Sequence, residues 1–207
     1  MEILMATSIK NILIVGVGGQ GVILASNILS EVALMTGFDV KKNEAHGQSQ
    51  RSGSVSSHVR YGGKVFSPVI RRGEADILLA FEELEALRWA NYLKPEGKII
   101  VNRQRIYPPS VTSGIDKYPE NVVSLLLKDG LDVIEIDGLE LAGQIGNPLV
   151  IGTIFLGIMS TFLEFPDKTW KAAIRKLVPE RHRDLNLKAF QEGKSLPGLP
   201  KAAASRK

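Results

Sequence analysis

The chain has 207 residues, of which 44% are apolar and 23% charged, the balance of an ordinary globular protein large enough to bury a core. It contains no cysteine, which excludes disulfides, thiolate nucleophiles and cysteine-held zinc or iron–sulfur clusters, and which is compatible with a reducing cytoplasm, the expected location. The net charge of +4 comes from the end of the chain, where Lys194, Lys201, Arg206 and Lys207 follow one another without an acid; a short basic tail of this kind reads as a solvated end, so no nucleic-acid partner is expected.

Met1 to Asn11 lack the basic start and long apolar run of a signal peptide. Asn11–Val15 is a short continuous apolar run, the pattern of a strand covered on both faces. The glycine-rich turn Gly16-Val17-Gly18-Gly19-Gln20-Gly21 follows, and then Val22–Met35 reads as a helix ended by Gly37. Phe38 to Asn43 is a second strand, and Glu44 to Gly53, rich in Ser, Gln and Gly, an exposed loop. Val55–Arg60 and Val65–Ile70, joined by Tyr61-Gly62-Gly63-Lys64, carry the signal of an antiparallel hairpin. Ala75–Ala80 is a buried strand, followed by a helix over Glu82–Leu93, a strand over Lys98–Asn102, a helix near Glu120–Lys128 and a strand over Asp132–Ile136. Mostly helical sequence runs from there to about Glu192. Strands alternating with helices predict an α/β fold: a Rossmann-like three-layer domain with a mostly parallel sheet and an inserted antiparallel hairpin. One domain is expected over residues 1–193, with 194–207 a disordered basic tail.

The longest uncharged stretch, Leu141 to Leu163, contains a helix start at Asn147-Pro148. Its apolar part, Leu149–Leu163, is 15 residues long, short of the roughly 20 that span a bilayer, so no membrane is expected. Small or polar residues interrupt it only at Gly152, Thr153, Gly157, Ser160 and Thr161. A helix apolar nearly all round is buried on more than one side, either as the central cover of the sheet or against a second subunit.

Gly16, Gly18 and Gly21 match G-x-G-x-x-G between a strand and a helix, the setting in which that spacing cradles a pyrophosphate. Glu44 stands where a ribose-binding acid would be needed. A free-standing NAD(P)-binding dehydrogenase, a nucleotide- or coenzyme A-binding module, and a tight turn with no ligand are all compatible with the turn taken alone. Gln20 adds an amide that both donates and accepts at the mouth of the sheet. The loop beyond the second strand places His46, Gln50, Arg51 and Ser52 at the carboxyl edge, the usual ligand crevice. Arg51 is the best anion receptor of the set, because its planar fork pairs with carboxylate or phosphate. No third ligand joins the histidines His46 and His58, so no metal site is expected.

Gly16-Val17-Gly18-Gly19-Gln20-Gly21 after the first strand, then Glu44-Ala45-His46-Gly47 and Gln50-Arg51-Ser52-Gly53-Ser54-Val55, resemble the gamma-type subunits of 2-oxoacid:ferredoxin oxidoreductases. The Ala-His-Gly form of the second motif is similar to the indolepyruvate branch. The resemblance covers residues 10–190. It implies oxidative decarboxylation of a 2-oxoacid to acyl-CoA, CO2 and reduced ferredoxin, with coenzyme A as cosubstrate. It also implies that thiamine diphosphate, magnesium and the iron–sulfur clusters sit on a larger partner subunit, and that this chain binds none of them and is inactive alone. The chain carries no thiamine-type Gly-Asp-Gly stretch; Leu139 breaks the pattern after Asp137-Gly138. By the same resemblance Gly16, Gly18, Gly19, Gln20 and Gly21 form a turn facing the active-site cleft, and His46, Gln50, Arg51 and Ser52 shape its wall.

Overall fold

The computed structural model describes residues 8–46 and 53–200. Six strands, β1 (Lys10–Val17), β2 (Asp39–His46), β3 (Ser54–Gly62), β4 (Ala75–Ala80), β5 (Leu93–Asn102) and β6 (Asp132–Ile136), form one sheet in the order β2-β3-β1-β4-β5-β6. Strands β1, β4, β5 and β6 are mutually parallel, while β3 runs antiparallel to both β1 and β2. The expected α/β architecture, mostly parallel with an antiparallel insertion, is the one observed.

The apolar run of β1 explains why the sheet is covered on both faces. Ile12, Leu13, Ile14 and Val15 are all fully buried, and successive side chains point to opposite faces. Ile12 and Ile14 enter a large core with helices α1 (Val22–Met35), α5 (Gly138–Ile145), α6 (Ile151–Ser160), α7 (Asp167–Leu177) and α8 (Arg183–Lys194), whereas Leu13 and Val15 enter a smaller core behind α2 (Glu83–Trp89) and α4 (Val122–Lys128). A short helix α3 (Pro109–Thr112) lies between β5 and α4.

The hairpin is not the one the sequence suggests. Its strands are β2 and β3, in register from Asp39 opposite Gly62 to His46 opposite Val55, and Glu44–His46 belong to the strand, not to a loop. Val65–Ile70 forms no strand. Side chains of β3 hold that segment instead: His58 Nδ1 accepts from the Ile70 amide at 3.2 Å, and Arg60 Nη1 donates to the carbonyls of Ser67 and Val69 at 3.0 and 3.1 Å. The Gly-Gly pair thus ends a strand without starting its neighbour. Strand β5 also begins earlier than expected, at Leu93, which pairs with Ala75 before the ladder resumes at Lys98 opposite Ile77. The helix before it is accordingly shortened to α2 and a 3-10 turn over Ala90–Tyr92.

The apolar stretch folds as a 3-10 turn, Pro148–Val150, running into α6. Every residue from Thr153 to Ser160 is buried within this one chain, so the all-round apolar character of α6 needs no second subunit to account for it. Its strip of small residues packs on α8. Thr153 Oγ1 lies 2.6 Å from Asn186 Oδ1, and a Cβ added to Gly157 would overlap the carbonyl oxygen of Phe190. Reciprocally, a Cβ on Gly193 would overlap the carbonyl of Ile154. Leu196 and Leu199 also pack against the larger core, so ordered packing continues past Gly193; residues 201–207 of the basic tail lie outside the described residues.

The crossing predicts a specific sensitivity. Gly193→Ala should cost about 3 kcal/mol or more, because backbone on both helices must move to admit one methyl group. Thermal or urea denaturation would read the loss, and stability equal to wild type would mean that the two helices do not approach this closely.

Candidate functional site

Strand β1 passes into α1, which covers the large core, whereas β4 passes into α2 on the opposite face. The β1–β4 pair is therefore the point where crossover direction reverses, the place at which open α/β sheets leave a crevice beyond their carboxyl ends. The glycine turn lies there. Gly16 is required by contact, since a Cβ would sit 2.9 Å from Gln20 Oε1 and 3.2 Å from Phe81 Cβ. Gly19 and Gly21 adopt φ of 95° and 85°, left-handed values that favour glycine. Gly21 caps α1 without any side-chain bond, and no acid occupies the first turn, so the leading amides of the helix keep their capacity for an anionic or carbonyl group.

A cleft of about 200 Å³ opens above this turn, lined by Gly19, Gln20 and Gly21 on one side and by Leu139, Leu149 and Ile151 on the other, with Phe81 and Gln104 at its base. Among the described residues no charged side chain lines it. Its rim is apolar and exposed: Leu149 is 81% and Leu139 47% accessible. Such a volume is below the ~300–1,000 Å³ usual for a complete small-molecule site, and well short of a dinucleotide.

The floor is a chain of three amides. Gln20 Oε1 accepts from the Val17 amide at 2.7 Å, while Nε2 donates to the Phe81 carbonyl at 2.9 Å and to Gln104 Oε1 at 3.0 Å. Gln104 Oε1 accepts a second bond from Asn102 Nδ2 at 3.0 Å. Asn102, fully buried, also donates to the Phe81 carbonyl at 3.1 Å and accepts from the Gly138 amide at 2.9 Å. The polar atoms of Gln20 are thus engaged inside the chain. Its place is in the wall of the cleft, and the sequence pattern does not show that its amide is already paired.

Of the other residues singled out from sequence, Gly18 donates to the Gly53 carbonyl at 3.0 Å, which brings the far end of the polar loop against the turn. His46 is exposed at the end of β2 on this same sheet edge. Gln50, Arg51 and Ser52 lie outside the described residues. His58 is a buried neutral residue, packed edge-on to Trp89 and Tyr92 and held below the ordinary histidine value by burial. Glu44 does not serve a ribose. It pairs with Lys42 at 2.6 Å, on a strand separated from β1 by β3.

Three glutamates after β4, Glu82, Glu83 and Glu85, are site-edge residues that the sequence does not single out. All are buried. Glu82 accepts from Tyr118 Oη at 2.6 Å and from the amides of Ile106 at 3.0 Å and Glu85 at 2.9 Å, which ties α2 to the segment after β5. Burial outweighs these bonds and holds the Glu82 carboxyl above the usual range; the same burial, with Glu82 alongside, pushes the Tyr118 phenol up. Glu83 pairs with Arg105 Nε at 2.9 Å. Glu85 receives Arg88 Nη1 and Ser54 Oγ, each at 2.5 Å, so the residue that opens β3 after the polar loop is anchored to α2. Among the described residues no three His, Asp or Glu side chains gather as a metal site, and no helix is long and apolar enough to cross a membrane.

The class defined by this fold and site is an α/β domain with a shallow cleft at the switch point of its sheet, lined among the described residues by apolar and amide groups. The chain belongs to the family described as pyruvate ferredoxin/flavodoxin oxidoreductase, whose model matches residues 11–196. It is 38% identical over 188 residues to the indolepyruvate oxidoreductase subunit IorB of Thermococcus kodakarensis, covering 88% of this chain and 93% of that one. The corresponding subunit of Archaeoglobus fulgidus is 38% identical over 198 residues, covering 93% and 98%. The keto/oxoacid ferredoxin oxidoreductase gamma subunit of Geobacter sulfurreducens has the same fold, with a TM-score of 0.66 at 24% identity over 89% of this chain and 95% of that one.

Two measurements test the floor of the site. Asn102→Ala leaves the Gly138 amide buried without a partner and should lower stability by about 2–3 kcal/mol in urea titration; a loss within error of zero would show that the amide chain does not hold the strand ends. The Glu82 carboxyl titrates higher folded than unfolded, so its charge costs nothing below the ordinary glutamate range and subtracts from stability as pH rises through the folded value. The stability difference between wild type and Glu82→Gln should therefore move in favour of the variant across that window, and a difference independent of pH would contradict the assignment.

Proposed function

We propose that this chain is the small subunit of an indolepyruvate-type 2-oxoacid:ferredoxin oxidoreductase. The observation that carries this reading is the 38% identity to subunits named for indolepyruvate oxidoreductase, sustained along nearly the whole of both chains. The complete reaction joins an aryl 2-oxoacid with coenzyme A, releases CO2 and passes two electrons to oxidised ferredoxin. Carbanion chemistry of this kind is supplied by thiamine diphosphate with magnesium, and electron transfer by iron–sulfur clusters. The side chains of this subunit do not fit those groups: it has no cysteine, and no metal-ligand set among the described residues. They belong on a larger partner subunit in the cytoplasm, and the single gamma-type domain of this chain contributes a wall.

The cleft supports that division. Its exposed leucines, Leu139 and Leu149, suit the rim of a surface that a partner completes, since apolar groups left open on a monomer mark interaction sites. Gly16, Gly18, Gly19, Gln20 and Gly21 build the facing turn, and the free amides opening α1 can receive an oxygen of coenzyme A or of the 2-oxoacid. His46, at the end of β2 on the same edge, and Gln50, Arg51 and Ser52, which follow it in sequence, are the residues we assign to the rest of the wall. Arg51 is the residue of this set suited to a phosphate or carboxylate.

The purified chain should show no indolepyruvate-dependent ferredoxin reduction. Activity should appear on co-expression with the larger subunit of its operon or host, and thiamine and iron should co-purify with the pair. Leu149→Asp should leave the melting temperature of the chain unchanged and lower the activity of the pair tenfold or more. Turnover by the chain alone with a nicotinamide would overturn the reading, as would a fully active pair carrying Leu149→Asp.

A further inference from the structure

A second cavity lies at the opposite end of β1. It measures about 500 Å³ and is lined by Phe38, Tyr61, Phe162 and Phe165, with Lys10 and Glu164 among the polar residues of its lining. Lys10 in its lining is six residues along β1 from Gly16 of the glycine turn, a separation of about 20 Å, so the cavity is no part of the cleft described above.

Three of its aromatic rings form one wall. Phe38 and Tyr61 meet edge to face at 5.5 Å between centroids, Tyr61 and Phe165 lie 5.1 Å apart, and Phe38 and Phe165 6.0 Å. Tyr61 is only 5% exposed. Its hydroxyl nonetheless makes no hydrogen bond among the described residues, and it is not sealed away from the cavity. Buried phenols almost always have a partner. Burial, with Asp76 and Glu164 nearby, pushes the Tyr61 phenol upward, so it stays a neutral O–H donor at physiological pH. An unmet donor calls for an acceptor, and Lys10, the one cation of the lining among the described residues, calls for a negative one; its nearest acid among those residues, Asp76, is 3.8 Å away and is also paired with Lys94 at 2.6 Å. The rings call for a flat apolar body.

We propose that this cavity binds a small aryl carboxylic acid, its ring against Phe38, Phe162 and Phe165 and its carboxylate received by Tyr61 Oη and Lys10 Nζ. Two sources share that chemistry, a simple arylalkanoic acid and an aromatic amino acid; the ammonium of the latter would stand near Glu164.

Trp170, fully buried with its ring 6.0 Å from that of Phe165, reports on the cavity. Phenylacetate and L-phenylalanine should each be titrated into the full chain, following tryptophan emission and heat, with toluene as the ring that lacks a carboxylate. Saturable binding of at least one acid is expected, with the tighter of the two identifying the source. Tyr61→Phe should weaken it about tenfold while leaving the melting temperature unchanged, because the hydroxyl it removes makes no hydrogen bond among the described residues. Lys10→Gln should weaken it as well. Absence of saturable binding by both acids, equal affinity in Tyr61→Phe, or toluene binding as tightly as phenylacetate would each overturn the proposal.

Discussion

The structure of the candidate site depends on how four parallel strand ends are held at fixed spacing. The carbonyl of Phe81, just past β4, accepts from Gln20 after β1 and from Asn102 at the end of β5, and Asn102 in turn accepts from Gly138 after β6. Three side-chain amides therefore do at the carboxyl edge what ladder bonds do inside the sheet. Amides suit this task because each can donate and accept at once, so the network closes without placing a charge under an apolar cleft. The cost of burying those amides is offset only if every one is paired. That condition ties the residue in the glycine turn to residues some 60 to 120 positions further along the chain.

This constraint divides what could be read from sequence from what could not. Strand β1, helix α1 over Val22–Met35 and strand β6 over Asp132–Ile136 occur where the apolar pattern places them, because local periodicity and a stop residue suffice to define them. The partner of β3 was misread because Val65–Ile70 has strand composition, whereas its amide and carbonyls are taken by His58 and Arg60 from a distance in sequence. Burial of α6 posed a similar problem. Its apolar surface is equally suited to a partner or to α8, and only the approach of Gly157 and Gly193 to opposing backbone distinguishes them. Glutamates 82, 83 and 85 look like surface residues because nothing adjacent in sequence reveals Tyr118, Arg105 or Ser54 beside them.

The turn itself shows how a glycine pattern can be real and still mislead. The spacing of Gly16, Gly18 and Gly21 correctly marks a strand passing tightly into a helix. The dinucleotide reading also needs an acid at the end of a neighbouring parallel strand. Here the neighbour of β1 on that side is antiparallel, and Glu44 is one strand further out and paired with Lys42. The fingerprint therefore specifies backbone geometry, and the neighbouring strand decides what that geometry can hold.

Reversal of β3 has a positive consequence as well. In an all-parallel sheet the chain leaving the carboxyl end of one strand must cross to the opposite edge before the next begins. Because β3 is antiparallel, β2 ends and β3 starts on the same edge, with His46 opposite Val55 and Gly53 bonded to Gly18. The connection bearing Gln50, Arg51 and Ser52 is therefore bounded at both ends by residues at the glycine turn's edge, and Ser54 is fixed from the other side by Glu85. An inverted strand thus begins at the edge of the sheet where its predecessor ends, which a parallel strand could not do. Among the described residues the lining of the cleft is amide and apolar. The turn and its amides give the wall a fixed shape, and the two ends of the connection, at His46 and Gly53, stand at that same edge.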